Sequence, residues 1–459
     1  MVSVPRIKWA TLPPFSFVLN LTLLMSSPTF AMNPTQPIPQ ATAAARIQQR
    51  QEQLREIFPE RYDLTRYPVT DANERYWRVQ LWATAVVEPQ ETYVNTAIAQ
   101  ILALTLRANL SAPQKRTVDM AMQVGTQLYL SNPAVYGDLQ LSFLQTIEQS
   151  QNPQWVAMSL SALAKGGVSV PDQQQWIKRI IQRIQQRFPQ WENDVYLYPT
   201  LIEAASLNNP PKIPPLGELL QWQIVPNQLQ IYALCRPDRG ILCTTVLKDP
   251  QGNFVQENGR LWSIPLWTRS LHGLAANFSR GQSPQGIYRI EGTIPQPDTD
   301  YFRAYGFFPL VQLFVPFEPG VKEFVPGRKG SLPNISAYQE LLPRSWQTYF
   351  PIQQSYWAGR AGRSLFRIHG SGEAPTFFTN NYRYPDAQGW NPAIGCLSAL
   401  ELYDAAGMLQ QSDMPKLLEA LARMSGKSLT GYLIVVEVPS ESKQPVSLTE
   451  IETAIANAR

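Results

Sequence analysis

The chain has 459 residues, enough for two or three domains at ~100 to 200 residues each, and its 44% hydrophobic and 16% charged content is that of a folded protein with a sizeable core rather than a disordered one. The formal charge of +4 becomes +2 once the first 31 residues are set aside, because they carry Arg6 and Lys8 and no acid (4 − 2). Without a dense Lys/Arg run, such a surface excludes nucleic acid as a partner.

At the start, Arg6 and Lys8 form a positive n-region, Phe15 to Met25 an apolar h-region, and Thr29-Phe30-Ala31 a small-residue cleavage site, which predicts a signal peptide over 1–31. A retained anchor would need ~20 apolar residues, and Asn20 and Thr22 interrupt a run that is already short. The expectation is an exported protein with no membrane span after cleavage, and no cysteine near the cleavage site to carry a lipid.

A proline-rich leader over Met32 to Ala41 is followed by helical patterns over 41–58, 72–87, 91–107, 113–130, 134–150, 154–165 and 171–188. In the last, Trp176, Ile177, Ile180, Ile181, Ile184 and Phe188 recur at the helical period while Lys178, Arg179, Gln182, Arg183 and Gln186 fill the opposite face; Ser169, Asp172 and Pro171 supply a start signal. Asn-Pro pairs at 132, 152 and 209 mark breaks. Two of them stand 20 residues apart (152 − 132), a spacing compatible with stacked HEAT-like repeats. An all-helical domain over 32–207 is expected, either as support or as a docking surface for a partner protein.

Asn-Asn-Pro-Pro-Lys-Ile-Pro-Pro (208–215) cannot continue a helix, which sets a linker at 208–227. Strand-like runs follow at 229–234, 241–247, 260–265 and 286–290, bounded by turn residues. The second domain is expected to be mostly β and antiparallel, over 228–440, with 441–459 as a tail; the fold class is thus α+β, multidomain. Tyr301 to Phe324 crowds aromatic residues into an apparent insertion, 301–363, which reads either as a substrate-facing wall or lid or as an insertion with its own small core. Cys235 and Cys243 flank the turn-like 236–240, and in an oxidising compartment they are either a disulfide or two small core residues on neighbouring strands.

That leaves Cys396, and with it one of only two histidines in the chain. Ser364 to His369 alternates as a strand, which puts Leu365, Arg367 and His369 on one face and Phe366 and Ile368 on the other; Gly370-Ser371-Gly372 then allows a sharp exit. Asn391 to Gly395 leads to Cys396, and 397–409 reads as a helix. A cysteine at a turn entering a helix, near an imidazole, is placed for a lowered thiol pKa and for nucleophilic attack. His272 is read as structural. Nothing supports a metal site, a phosphate loop or a bound cofactor.

Ile368-His369-Gly370 followed by Gly395-Cys396 resembles the signature of L,D-transpeptidase (YkuD-type) catalytic domains, and Ser283-Pro284-Gln285-Gly286-Ile287-Tyr288-Arg289-Ile290 is similar to an early strand segment of that family. The resemblance spans 228–439. It implies a peptidoglycan-modifying enzyme of a bacterial periplasm or cell envelope, in which Cys396 forms a thioester with a stem peptide and His369 acts as base. Gly395 and Cys396 would offer backbone amides to the oxyanion, and Gly370, Arg367 and Ser398 are candidate substrate contacts. The chain departs from the family in its gap of 27 between His369 and Cys396 (396 − 369), which implies an insertion over Glu373 to Trp390. It also departs in Ala393-Ile394 before the Gly-Cys, and in Ser398 where many members carry Arg. The alternative is a catalytically degenerate cell-wall binding or scaffold protein.

Overall fold

A computed structural model describes residues 34–166, 172–207, 209–296, 306–371, 393–425 and 429–458. The expected signal peptide (1–31), Ser169 and Pro171 of the expected helix start, Tyr301, Phe302 and Tyr305, and the expected insertion from Glu373 to Trp390 lie outside them.

Nine α-helices precede residue 207 among the described residues: α1 (Ala43–Leu54), α2 (Glu74–Val87), α3 (Thr92–Leu102), α4 (Ala112–Ser131), α5 (Pro133–Tyr136), α6 (Leu139–Gln149), α7 (Pro153–Lys165), α8 (Gln173–Arg187) and α9 (Leu197–Ser206). Their ends follow from local chemistry. Ser111 and Gln114 form a reciprocal capping box on α4, with Pro113 in the first turn. The Asn152 side chain accepts from the amides of Gln154 and Trp155 at the start of α7, and Asp172 caps α8 through the Gln175 amide. Ile177, Ile180, Ile181 and Ile184 of α8 are buried as their spacing requires. Helix α9 was not foreseen, because Pro199 breaks its pattern; proline costs little there, since first-turn amides have no intrahelical acceptor.

The helices enclose one core, with Trp77, Tyr136, Phe143 and Trp155 deep inside, and that core also takes in Leu274, Ala275 and Phe278 from the second domain. Hydrogen bonds stitch the same seam: Lys165 Nζ to Gly273 O at 3.1 Å, Tyr196 Oη to Ala361 O at 3.2 Å, and Gln354 Nε2 to Glu203 Oε1 at 2.8 Å. His272 is fully buried there, its Nδ1 2.8 Å from Gln127 Oε1. Gln127 Nε2 donates to Ala85 O and Glu88 Oε1, so Oε1 is the acceptor and His272 Nδ1 carries the proton.

Burial, helped by the charge of Arg280, lowers the His272 pKa from 6.5 to about 3. The folded imidazole is therefore neutral where the unfolded one takes a proton. Its contribution to stability is complete above pH 6.5 and is lost as pH falls toward 3, at on the order of 1.4 kcal/mol per pH unit within that window. Thermal unfolding of His272→Gln is accordingly expected to lose less midpoint between pH 7 and pH 4 than the parent does; parallel pH profiles would contradict the assignment.

The second domain holds twelve strands among the described residues: β1 (Leu229–Cys235), β2 (Cys243–Lys248), β3 (Gln256–Glu257), β4 (Arg260–Leu261), β5 (Ser263–Leu266), β6 (Gly286–Ile294), β7 (Leu310–Phe314), β8 (Phe366–Gly370), β9 (Leu397–Ala399), β10 (Glu401–Tyr403), β11 (Leu409–Ser412) and β12 (Thr430–Glu437). Eight form one sheet in the order β5-β2-β1-β12-β6-β7-β8-β9, antiparallel except for β1 with β12 and β8 with β9. Trp267, just after β5, and Ser398 of β9 exchange two backbone hydrogen bonds of 2.8 Å, which brings the two sheet ends together as a nearly closed barrel.

Alternation along β1 serves two cores. Leu229, Ile231, Ala233 and Cys235 face one, with Met414, Leu417 and Leu421 on a helix over Met414–Ser425; Tyr232 and Leu234 face the other. That second core corrects three boundaries. The stretch 208–227 is not simply a linker, because Leu216–Gln221 is a helix whose Leu219 and Leu220 are buried. The expected tail, 441–459, contains a helix over Leu448–Asn457 that packs on it and buries Ile451. The apparent insertion, 301–363, supplies β7 to the middle of the sheet, and its Phe324, Tyr338, Trp346 and Tyr356 cover the sheet's outer face. Those four rings therefore belong to a core rather than to a substrate-facing wall or lid.

Candidate functional site

Strand β8 carries Arg367 and His369, and β9 runs parallel beside it with Ile368 opposite Leu397, His369 opposite Ser398 and Gly370 opposite Ala399. Carried back one pair, the register sets Cys396 opposite Arg367. Cys396, in the bend just before β9, therefore enters the sheet two register pairs from His369, with its thiol turned to the backbone of β8 at Leu365. Phe366 and Ile368 point into the core with Leu397 and Ala399.

The expected helix over 397–409 is absent. Leu397–Ala399 is drawn into the sheet by pairing with β8 and Trp267, and Asp404 then closes a hairpin by accepting from the amides of Ala406 and Met408. Helical periodicity is overridden by tertiary pairing, and Cys396 enters a strand with no helix N-terminus behind it.

This changes the expected electrostatics. Cys396 is 9% exposed, and its thiol donates to Leu365 O at 3.6 Å. Burial raises its pKa, while the Arg367 amide and the charges of Arg367 and Arg363 pull it down and Glu318 pushes it up. His369 is 4% exposed with Nδ1 2.6 Å from Gly370 O. A carbonyl only accepts, so Nδ1 bears the proton and Nε2 is the basic nitrogen. Burial lowers the imidazole pKa to about 4, against the Gly370 carbonyl, which raises it, and with Arg367, which lowers it. At neutral pH the pair is thus a thiol and a neutral base rather than a thiolate and an imidazolium.

Several residues around the pair carried no sequence signal. Arg363 is buried, stacks on Phe366 with its guanidinium carbon 4.6 Å from the ring centroid, and donates to Ala276 O, Gln282 O and Gly281 O. Gly395 lies against it at φ +122, leaving no room for a Cβ. Glu318, its pKa raised to about 7 by burial, accepts from the amides of Val315 and Leu365. Leu365 adopts φ +66 and is 67% exposed, so an aliphatic side chain projects into solvent beside the thiol.

Glu401, also raised to about 7 by burial, accepts from the Phe307 amide at 2.6 Å and from Tyr403 Oη at 2.5 Å. Its carboxylate rests against Gly370, where any Cβ would collide with it. The requirement at Gly370 is therefore close packing, not substrate contact alone.

Other sequence candidates fall into place nearby. Ser283 Oγ lies 2.9 Å from Gly395 O and 3.3 Å from Cys396 O, so the segment that leads into β6 braces the cysteine. Cys235 and Cys243 form a disulfide, with Thr268 Oγ1 3.3 Å from Cys243 Sγ; Thr268 O in turn lies 3.2 Å from Ser283 Oγ. Cys396 is the free cysteine. Arg367 is buried rather than on the surface and donates to Phe366 O at 2.5 Å, while Ser398 joins the strand ends. Among the described residues no helix is long and apolar enough to cross a membrane.

Set against protein-family models, curated proteins and solved structures, the chain matches none of them.

Proposed function

We propose that this chain is an exported, L,D-transpeptidase-like cysteine acyl-transferase that acts on peptidoglycan stem peptides. The observation that carries this reading is the parallel pairing of β8 with β9, which brings Cys396, the residue before β9, to within two register pairs of His369, whose Nδ1 carries the proton. As Cys396 Sγ attacks the carbonyl at an L-to-D centre, His369 Nε2 takes the thiol proton. The tetrahedral oxyanion would be met by the amides of Gly395 and Cys396. Collapse breaks the C–N bond, the D-amino acid leaves with the proton from His369, and an acyl-thioester remains. An incoming amine then gives a cross-link, and water gives carboxypeptidase activity. No cofactor enters these steps. The helical domain, read as HEAT-like, would hold the sheet domain and offer a surface to a partner protein.

One feature favours the alternative of an inactive cell-wall binding or scaffold module: the thiol is buried and its pKa raised, the reverse of most thiolate nucleophiles. Incubating the folded chain with a stem tetrapeptide ending in D-alanine separates the two readings. The enzyme is expected to release D-alanine and to carry, on the peptide containing Cys396, the mass of the donor less D-alanine. A folded chain that does neither overturns the enzymatic reading and leaves the scaffold.

A further inference from the structure

Arg280 stands out at the seam between the two domains. It is not a glycine, yet it adopts φ +61, a left-handed conformation that costs side-chain-bearing residues about 1–3 kcal/mol and is concentrated at functional sites. Its guanidinium carbon lies 5.6 Å from the ring centroid of Trp82 on α2, and its Nη1 is buried with no hydrogen-bond acceptor among the described residues. Among the described residues no carboxylate pairs with it. Another cation, Arg78, acts on it electrostatically and stands one turn before Trp82 on the same face of α2. Arg78 has Glu74 at 3.9 Å, an oxygen that also serves Arg116. Burial first, and the charge of Arg78 second, lower the Arg280 pKa.

A strained backbone, an orphaned guanidinium nitrogen and a like-charged neighbour each cost stability, and among the described residues only the ring of Trp82 is set against the guanidinium. An anion that docks between them would offset these costs. Trp82, 37% exposed, supplies an apolar floor beside the charge. The place is also close to the reacting thiol. Gly281, the next residue, directs its carbonyl at Arg363 Nη2, 3.0 Å away, and against Gly395, the neighbour of Cys396.

We infer that Arg280, Arg78 and Trp82 form a carboxylate-binding subsite at the domain seam, which holds an acidic group of the peptide whose carbonyl is presented to Cys396. Arginine suits this role because its planar fork pairs two donors with the two oxygens of a carboxylate. An extended peptide spans ~3.3–3.6 Å per residue, so an acidic group two to four residues from the reacting carbonyl reaches ~7–14 Å from the thiol. The subsite gives the helical domain a direct part in recognition, since Trp82 and Arg78 belong to it. The inference rests on reading Cys396 as the residue that is acylated.

The test uses the full chain carrying Cys396→Ser, so that binding is read without chemistry. Calorimetric titration compares a stem tetrapeptide with free carboxylates against the same peptide with each carboxylate amidated. The free form is expected to bind at least tenfold more tightly. Arg280→Gly, which accepts φ +61 without strain and so retains the fold, is expected to erase that preference, and Arg280→Lys to keep part of it. Equal affinity for the two peptides, or a preference that persists in Arg280→Gly, overturns the subsite. If the preference holds while the unsubstituted chain fails to capture the donor, only the enzymatic reading falls. If capture holds and the preference fails, only the subsite does.

Discussion

Cys396→Ser is expected to abolish covalent capture of a carbapenem or of iodoacetamide at neutral pH, and His369→Ala to slow it by roughly 10²–10⁴-fold, the usual share of a positioned base. The physical basis is the state of the pair. The thiol, raised by burial, is protonated at pH 7, and the imidazole, lowered to about 4 and fixed as the Nδ1–H tautomer, is free of charge and able to take its proton. A serine hydroxyl in the same buried setting is a far weaker acid, and a neutral imidazole alone does not make it a nucleophile. The sign of the pH dependence follows. Capture is expected to fall as pH drops through about 4, where His369 protonates, and to rise on the alkaline side as the thiol itself ionises. Mass spectrometry of the modified peptide and a rate profile from pH 3 to 10 read both. Labelling that is unchanged in His369→Ala would remove the base from the mechanism, and labelling that survives Cys396→Ser would place the reactive group elsewhere.

Gly395→Ala is expected to reduce capture by about 100-fold and to lower stability by about 3 kcal/mol, at the upper end of what one strained residue costs. At φ +122 the backbone lies where side chains are rarely tolerated, and the added methyl would land on Arg363 Nη2 while standing 3.1 Å from Gly281 O. Arg363 has nowhere to retreat, held as it is by three carbonyls and the ring of Phe366. Either the guanidinium moves away from the cysteine or the turn that presents Cys396 does. Circular dichroism and thermal unfolding separate loss of fold from loss of site. A variant with parental stability and parental labelling would show that the turn is not rigid.

How much of this was legible beforehand varied with the range of the contacts. The break at Asn152-Pro153 and the start signal at Asp172 announced themselves, because a cap acts over three residues. The strand from 366 to 370 was visible in its alternation, and so was the rarity of His369 and Cys396. The strand after Cys396 was not: Leu397 and Ala399 read equally well as helix, and only pairing with β8 and with Trp267, about 130 residues earlier in the chain, decides between them. The turn residues Asp404 and Gly407 were a usable warning against a long helix there.

Likewise Arg363, Glu318 and Glu401 had no motif to flag them, since their significance lies in being buried beside residues distant in sequence. By itself the sequence determined a helical first part, a mostly β second part and a cysteine with a histidine within the same segment, because composition, period and local turn chemistry act at short range; that Cys235 and Cys243 pair and leave Cys396 free came from the structure. Only the tertiary structure decided that Phe308 and Phe324 of the aromatic stretch are core, that the thiol is raised rather than lowered, and that Arg280 sits at the seam with a buried nitrogen lacking an acceptor among the described residues. Burial and pairing partners are set by which segments meet across the fold, and no local pattern encodes that.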